Sequence, residues 1–214
     1  AVIGPNADDL EVLLGNYNGF SKHPVTPLQG IREKLPQAEV SFAQGCALAA
    51  GLPYFKPVPS GVLFTDPQMA KPGLTGHYYD NSLWEGDPVH ERTDKVVDFL
   101  WWNEAPFEDM NVRNYSVEWS GVLCVPESGR YALGVEAFSG CTLTLDGEML
   151  IKRIDEHQPR KEYEYVELEA GKPYALTLRY VQDNTEYAVM RLLWEAPQRN
   201  LLEEALAVAS ESDL

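Results

Sequence analysis

The hydrophobic and polar positions along the chain follow two different periods. Between about residues 74 and 197 they alternate one by one, as in "YSVEWSGVLCV" and "YALGVEA". Several short alternating segments separated by turn sequences are typical of an antiparallel β-sandwich or barrel. Asp146-Gly147 adds a strong hairpin signal, because Asp-Gly suits the two-residue turns that join neighbouring strands. We therefore predict that this part of the chain is all β.

The segment before it follows a different pattern. "AVI" and "EVSFAQGC" predict two short strands, and "TPLQGIREKL" between them predicts a helix. Thr26 is placed to cap this helix, with Pro27 in its first position and Gln29 completing a capping box. Strand, helix, strand is a βαβ unit, which implies a parallel sheet. The apolar helix face is predicted to consist of Leu28, Ile31 and Leu35.

The helical pattern returns at the end of the chain. "QRNLLEEALAVASESDL" predicts a helix capped by Asn200, with Leu202, Leu206 and Ala209 on one face. Residues 51–73 hold five prolines, which predicts a semi-rigid connector. Four parts are therefore expected, and an α/β pattern interrupted by a complete β pattern indicates a domain inserted into another domain. The parts are the βαβ unit at 1–50, the connector at 51–73, the β-sandwich at 74–197 and the return helix at 198–214.

The net charge of the chain limits the classes of partner that we expect. Its 214 residues include 17 Lys and Arg against 33 Asp and Glu, giving a formal net charge of −16. Such a surface repels phosphate groups, so we expect neither nucleic acid nor an anionic membrane as a partner, while neutral or cationic ligands stay open. The apolar stretches are far shorter than the roughly 20 residues that cross a bilayer. The three cysteines are expected to be buried thiols in strands, with a Cys124–Cys141 bridge left open.

Two groups of motifs resemble known families. "AVIGPNADD", "LLGNYNG", "TPLQGIREKL" and "VSFAQGC" closely resemble the opening of the second, α/β-sandwich domain of family-three glycoside hydrolases, the β-glucosidase and β-xylosidase group. Residues 74–197 resemble the anthrax protective-antigen type domain, through "GLTGHYYDN", "VDFLWWNEAPFEDMNVRNYSVEWSGVL" and "PESGRYALGVEAFSGCTLTLDGEMLI". Some β-glucosidases of this group carry that domain inserted at this point. The expected fold is therefore mainly β: an antiparallel β-sandwich of protective-antigen type inserted into an incomplete α/β-sandwich domain.

The resemblance also implies what the chain lacks. The hydrolases are retaining enzymes whose nucleophile lies on a preceding barrel domain and whose acid/base carboxylate lies later in the α/β-sandwich domain. Neither region is in these 214 residues. Since a retaining mechanism needs two carboxyl groups about 5–5.5 Å apart, we expect no catalytic residue here and no hydrolase activity from the chain alone. Its abrupt apolar start, without Met, fits a piece of a longer protein.

A metal site is not expected either. In yeast adhesin lectins, this type of domain binds sugar through calcium held by two consecutive aspartates before a glycine. The matching positions here are Phe138 and Ser139 before Gly140. Calcium prefers six to eight oxygen ligands, usually including carboxylates, so we predict no calcium and no other cofactor.

The candidate carbohydrate contacts lie on loops and on one strand. Phe138 suits stacking on the C–H face of a sugar, and in the hydrolases the inserted domain can lean over the catalytic pocket. Of Trp101-Trp102 at most one can enter the core, because adjacent strand residues point to opposite faces. Packing or turn formation is the competing explanation for every candidate. The candidates are Phe138, Ser139, Asp155, His157, Gln182, Asp183, Asn184, Trp102, Asn16 and Tyr17.

Three functional hypotheses follow. The first is a non-catalytic part of a β-glucosidase-like hydrolase, whose insert shapes substrate specificity or contacts carbohydrate near the active site. The second is an autonomous carbohydrate-binding module, and the third a structural or oligomerisation insert. The expected partners are a β-glucoside or oligosaccharide and the remaining domains of the parent enzyme. A second copy of the chain is a further candidate, since an incomplete sheet leaves open edges. The sequence indicates neither the sugar nor the compartment.

Overall fold

The computed structural model describes residues 1–14, 24–49, 53–154, 160–183, 185, 187–197 and 200–212. The chain forms two compact units, the first made of Ala1–Tyr54 with Gln198–Leu214 and the second of Phe55–Pro197. Among the described residues, no helix is long and apolar enough to cross a membrane.

The secondary structure is dominated by strands. In chain order the elements are β1 (Val2–Ile3), α1 (Leu10–Leu14), α2 (Pro27–Lys34), β2 (Phe42–Ala43), β3 (Lys56–Pro57), a 3-10 turn (Ser60–Val62), β4 (Leu63–Phe64), β5 (Leu74–Tyr79), β6 (His90–Asp94), β7 (Asp98–Trp102), β8 (Asn114–Cys124), β9 (Gly129–Ala137), β10 (Cys141–Leu145), β11 (Glu148–Arg153), β12 (Arg160–Leu168), β13 (Pro173–Asp183), β14 (Tyr187–Glu195) and α3 (Leu201–Ser210).

The first unit contains the predicted parallel strand pair. β1 and β2 pair in parallel, with Val2 opposite Phe42. Thr26 caps α2, since its hydroxyl oxygen accepts a hydrogen bond from the Gln29 backbone N–H at 3.1 Å. The capping box is not completed, however: the Gln29 side-chain oxygen does not accept from the Thr26 backbone N–H, and the Gln29 amide nitrogen donates to Glu33 at 2.8 Å. The predicted N-cap at Thr26 is therefore confirmed, and the prediction of a complete capping box was wrong.

The predicted apolar helix faces are only partly buried. In α2 only Leu28 is buried, while Ile31 and Leu35 are exposed. In α3 the buried residue is Ala205, and the leucines of the predicted face, Leu202 and Leu206, are exposed. Among the described residues this unit has a sheet of only two strands, which is too small a surface to cover a full face of either helix. Periodicity therefore identified the helices but not how much of each is buried.

The second unit is the predicted antiparallel β-sandwich. One sheet has seven strands in the order β11-β10-β13-β8-β5-β6, with β4 also paired to β8. The other has five strands in the order β12-β9-β14-β3, with β7 also paired to β14. Every pairing in both sheets is antiparallel. The mainly β fold class is therefore confirmed.

The core lies between the two sheets and follows the alternation in the sequence. Trp119 and Leu123 of β8 point into it from the larger sheet, and Leu133 and Met190 from the smaller one. Burying each large apolar side chain of this kind contributes roughly 1.5–3 kcal/mol. The Asp146-Gly147 turn is present, with positive φ at both residues (48° and 83°), as a two-residue hairpin of this type requires.

The proline-rich segment is built into the sandwich over its described residues. β3 pairs with β14, and β4 pairs with β8. Val58 and Leu63 are completely buried. Gly121 allows this close approach, because a Cβ atom there would lie 2.3 Å from the Phe64 carbonyl oxygen. Its prolines thus interrupt regular structure without leaving the segment as a simple spacer.

The cysteines are free thiols, so the Cys124–Cys141 bridge is not formed. Cys141 is buried in β10, and burial raises the pKa of its thiol to about 12. Cys124 is half-buried at the end of β8. Cys46 is exposed and lies outside the strands, so the expectation of a buried strand thiol was wrong there.

Candidate functional site

Three aromatic residues form a continuous row on the outer face of the five-stranded sheet. The Tyr187 ring lies between the other two: its centroid is 5.2 Å from that of Trp102 and 4.8 Å from that of Phe138, and both contacts are edge-to-face. Such arrangements are the favoured geometry of aromatic pairs. Trp102 is 59 % exposed, whereas Phe138 and Tyr187 are half-buried, so the row is most open to solvent at Trp102. We call these three residues the aromatic row.

The strand register explains how the row forms. Trp102 of β7 lies directly opposite Tyr187 of β14, and opposite residues in an antiparallel pair project from the same face. Phe138 follows β9, and its backbone N–H donates to the Val189 carbonyl at 3.1 Å. Trp101 points the other way and stacks on Phe99 in the interior at 4.8 Å. The prediction that at most one of the two tryptophans enters the core is confirmed.

A charged cluster lies beside the row on the same face. Arg191 is four residues after Tyr187 on β14, so both side chains project outward. Its guanidinium lies 2.9 Å from a carboxylate oxygen of Asp98 on β7 and 3.0 Å from one of Glu136 on β9. One cation is thus held between two carboxylates on three adjacent strands.

The cluster also affects the chemistry of the row. Burial raises the pKa of Tyr187, and the nearby Glu136 carboxylate raises it further, while Arg191 opposes the shift. The phenol therefore keeps its proton throughout the physiological range and can donate a hydrogen bond. Together the row and the cluster supply stacking surfaces, a neutral hydroxyl and charged hydrogen-bonding groups. These are the components with which proteins hold a polar ligand that also has apolar faces.

Two of the predicted site residues are enclosed. Ser139 is only 2 % exposed and Gln182 is fully buried. The Gln182 amide is engaged internally, since its nitrogen donates to Thr185 (2.7 and 2.8 Å) and its oxygen accepts from the Tyr180 hydroxyl at 2.7 Å. In this structure Gln182 thus shapes the turn after β13. Asp183, the last residue of that strand, is exposed.

The other predicted contacts lie outside the described residues. They are Asn16, Tyr17, Asp155, His157 and Asn184. Their participation stays a prediction.

Sequence reasoning missed four residues of the site: Tyr187, Arg191, Asp98 and Glu136. The alternation of β14 does mark Tyr187 as outward-facing, which is the only signal the sequence holds. Its position between Trp102 and Phe138 depends on which strands are neighbours and in which register, and the alternation of a single strand does not contain that information.

The resemblance to adhesin lectins would place calcium at Phe138 and Ser139, and these two residues do not fit that metal. Phe138 supplies a ring instead of a carboxylate, and the hydroxyl of Ser139 is on a buried side chain. Over the described residues, no three His, Cys, Asp or Glu side chains are grouped as metal ligands would be. The aromatic row occupies this end of β9 in their place.

The same residue types also form a network around the buried carboxylate of Asp94, with Arg92 partly exposed. The Asp94 carboxylate accepts hydrogen bonds from the Tyr78 hydroxyl, from Arg92 at 2.6 Å and from the Trp119 indole N–H at 2.7 Å. Arg92 also donates to the Tyr78 hydroxyl at 2.7 Å. Both oxygens of this buried carboxylate are therefore satisfied, as a buried charge requires. We call these four residues the Asp94 network.

The fold and the outward aromatic row define a β-sandwich domain with a surface suited to ligand binding. A family model described as the PA14 domain matches residues 70–201. The chain therefore belongs to the PA14 domain family.

Three similar proteins place the domain in context. An anti-sigma-I factor of Acetivibrio thermocellus is 28% identical over 144 residues, covering 66% of this chain and 22% of that protein. A xylan 1,4-beta-xylosidase of Xylanibacter ruminicola is 25% identical over 195 residues, covering 90% of this chain and 22% of that protein. Among solved structures, a beta-glucosidase from Kluyveromyces marxianus in complex with glucose covers 98% of this chain, and the chain covers 27% of it, with a TM-score of 0.67 and 19% identity. This last match shows the fold alone. The chain spans about a fifth of the length of the two curated relatives.

Proposed function

We propose that this chain is the carbohydrate-recognition part of a glycoside hydrolase and that the aromatic row is its binding surface. Phe138, Tyr187 and Trp102 would stack on the C–H faces of sugar rings, and the neighbouring charged groups would bind sugar hydroxyls. The observation that carries the proposal is the exposed row itself, because stacking surfaces beside hydrogen-bonding groups match a ligand whose rings have apolar faces and polar edges.

Similarity to hydrolases supports the enzyme context. The xylosidase match covers 90% of the chain, more than the PA14 domain alone, so its similarity includes residues of the first unit. The β-glucosidase has the same fold over nearly the whole chain. We propose that the first unit belongs to the α/β-sandwich domain of the parent enzyme and that the insert adjusts which β-glucoside or oligosaccharide reaches its active site.

The chain is proposed to bind without catalysing hydrolysis and without calcium. We expect the two carboxyl groups that a retaining mechanism needs to lie in other regions of the parent enzyme. Phe138 and Ser139 replace the calcium-binding carboxylates. Recognition would then depend on aromatic contact, and a chelator would leave it unchanged.

Titration calorimetry with xylo- and cello-oligosaccharides tests the proposal on this chain. We expect saturable binding that weakens about tenfold in Trp102→Ala, since an exposed aromatic contact contributes up to about 1.5 kcal/mol. Trp84→Ala, in the loop between β5 and β6, is the matched control and should bind like the wild type. Absence of binding to every oligosaccharide, with the chain folded, would overturn the proposal.

A second candidate is an autonomous carbohydrate-binding module. Similarity to an anti-sigma-I factor favours it, because that protein is not named as a hydrolase. The two functions differ in the parent protein. In a hydrolase, Phe138→Ala should change kcat/KM between substrates; in a module it should change affinity and leave the specificity of any linked enzyme as it was.

Self-association through the first unit is a further proposal. β1 and β2 are the whole of its sheet among the described residues, and open strand edges favour pairing. Light scattering across a concentration series tests it, and a monomer at all concentrations would contradict it.

A further inference from the structure

A second aromatic cluster lies on the five-stranded sheet, away from the aromatic row. The Tyr163 ring is 5.1 Å from that of Phe55 and 5.6 Å, edge-on, from that of Tyr165. Tyr165 is 45 % exposed, and the Arg130 guanidinium lies 3.9 Å from its ring centroid. A cation over one face and a ring at its edge hold Tyr165 in one orientation. We call Phe55, Tyr163 and Tyr165 the second cluster.

The strand register places both clusters on the same outer face. Tyr163 lies opposite Gly134 of β9, which lies opposite Leu193 of β14. Leu193 is six residues after Tyr187, an even number, so both project from one face. Gly134 leaves room for Tyr163, because a Cβ atom there would be 2.7 Å from the Tyr163 Cβ.

The register also sets the distance between the clusters. Six residues of β-strand span about 20 Å at roughly 3.3 Å per residue. Tyr163 is also two strands to one side of β14, and Trp102 is one strand to the other. A ligand touching both ends must therefore be an extended chain that runs diagonally across the sheet.

The surface between the clusters determines the charge of that chain. Arg191 there is paired with Asp98 and Glu136, and Arg130 lies over Tyr165 in the second cluster. These two cations and two carboxylates carry no net charge, so neither an anionic nor a cationic chain would gain a net electrostatic attraction from them. A neutral chain rich in hydroxyls would meet donors and acceptors in the middle and rings at each end.

We infer that the outer face of the five-stranded sheet binds a linear, uncharged oligosaccharide, with the second cluster as a distal subsite. The inference rests on the proposed function, since the aromatic row is its first subsite. It adds that the ligand is a polymer segment, longer than the mono- or disaccharide that the aromatic row would hold alone.

Calorimetry with a series of xylo-oligosaccharides, from the disaccharide to the hexasaccharide, tests this inference. We expect the affinity of the wild type to rise with chain length up to the longest ligands. Tyr165→Ala should weaken hexasaccharide binding about fivefold and leave disaccharide binding unchanged. Tyr165→Phe, which keeps the ring, should restore the hexasaccharide affinity. Tyr79→Ala on the seven-stranded sheet should match the wild type.

The outcomes separate the two proposals. Equal affinity for short and long ligands, unchanged in Tyr165→Ala, would overturn the distal subsite and leave the aromatic row as a binding site. Equal weakening of every ligand in Tyr165→Ala would also overturn it, since a distal contact acts only on long chains. Binding of none of the ligands by the folded wild type would overturn both. Tighter binding of a glucuronic-acid-substituted chain than of the neutral hexasaccharide would overturn the assignment of an uncharged ligand.

Discussion

The Asp94 network and the aromatic row use almost the same side chains in opposite surroundings. Each contains a tyrosine and a tryptophan with an arginine and a carboxylate close by. Asp94 is buried and every one of its contacts is made by the protein. Trp102 is mostly exposed, and the Asp98 carboxylate paired with Arg191 is partly open to solvent.

This difference shows that residue type alone does not tell which side chains of this molecule stabilise the fold and which are available to a ligand. A buried charge with all its hydrogen bonds made has no capacity left for a ligand, whereas Trp102 and Asp98, which are open to solvent, keep theirs. The Asp94 network should therefore matter for folding, and the outer face for binding. Four experiments test this division of roles.

The largest effect is expected from Asp94→Ala. It would leave the buried Trp119 N–H and the Tyr78 hydroxyl without their acceptor and Arg92 without its counter-charge. Removing one partner from a buried ion pair typically costs about 3–5 kcal/mol, measured here as the free energy of unfolding in urea. Asp98→Ala, the surface counterpart, should cost about 1 kcal/mol or less. Equal losses of unfolding free energy in Asp94→Ala and Asp98→Ala would show that the Asp94 network is no more important for folding than the outer face.

Alkaline pH should destabilise the fold through the interior. Burial raises the pKa of Tyr78, Tyr115 and Tyr180. The folded state then holds these protons more tightly than the unfolded state does. The contribution of these tyrosines to the free energy of unfolding is complete below pH 10, which is about the pKa of tyrosine in the unfolded chain. Above that pH the free energy of unfolding falls, and at about pH 11 each tyrosine has cost about 1.4 kcal/mol. Thermal melts at increasing pH measure this, and a melting temperature that stays constant past this point would contradict it.

In contrast to Asp94→Ala, Trp102→Ala should weaken ligand binding and leave stability nearly unchanged. Oligosaccharide affinity should fall about tenfold, while the free energy of unfolding should change by no more than about 0.5 kcal/mol, as at an exposed surface position. Calorimetry and urea unfolding on one preparation measure both. Loss of stability equal to the loss of binding free energy would mean that the row is part of the fold.

The smallest effect is expected from chelation. Adding excess EDTA should leave both the oligosaccharide affinity and the melting temperature of the wild type unchanged, because Phe138 and Ser139 offer no carboxylate where the resemblance to the lectins would place calcium. A drop in affinity that added calcium reverses would show that metal ligands were overlooked.

Much of the fold follows from local pattern. Thr26 and Asn200 cap their helices because the capping chemistry lies within three residues of sequence. Trp101 and Trp102 separate to opposite faces because the strand period is two. The exposed Ile31 and Leu35 could not be predicted, since their burial depends on how much sheet lies nearby.

The site was less predictable for a related reason. Phe138 and Trp102 were proposed separately, one from a resemblance and the other from its exposed aromatic character. Only the pairing of β7 and β9 with β14 brings them together through Tyr187. Contacts between residues 49 and 85 positions apart in the sequence depend on strand order, which local alternation does not encode.

The hydrogen bond from the backbone of Phe138 to Val189 has a consequence for how the domain can diversify. It anchors the main chain at position 138 whatever side chain is attached, because only the backbone N–H takes part. Exchange of the phenyl ring for a larger, smaller or polar group would therefore leave the strand framework in place. Under the proposed function, position 138 is thus a place where evolution, or a protein engineer, can change ligand preference at little risk to folding.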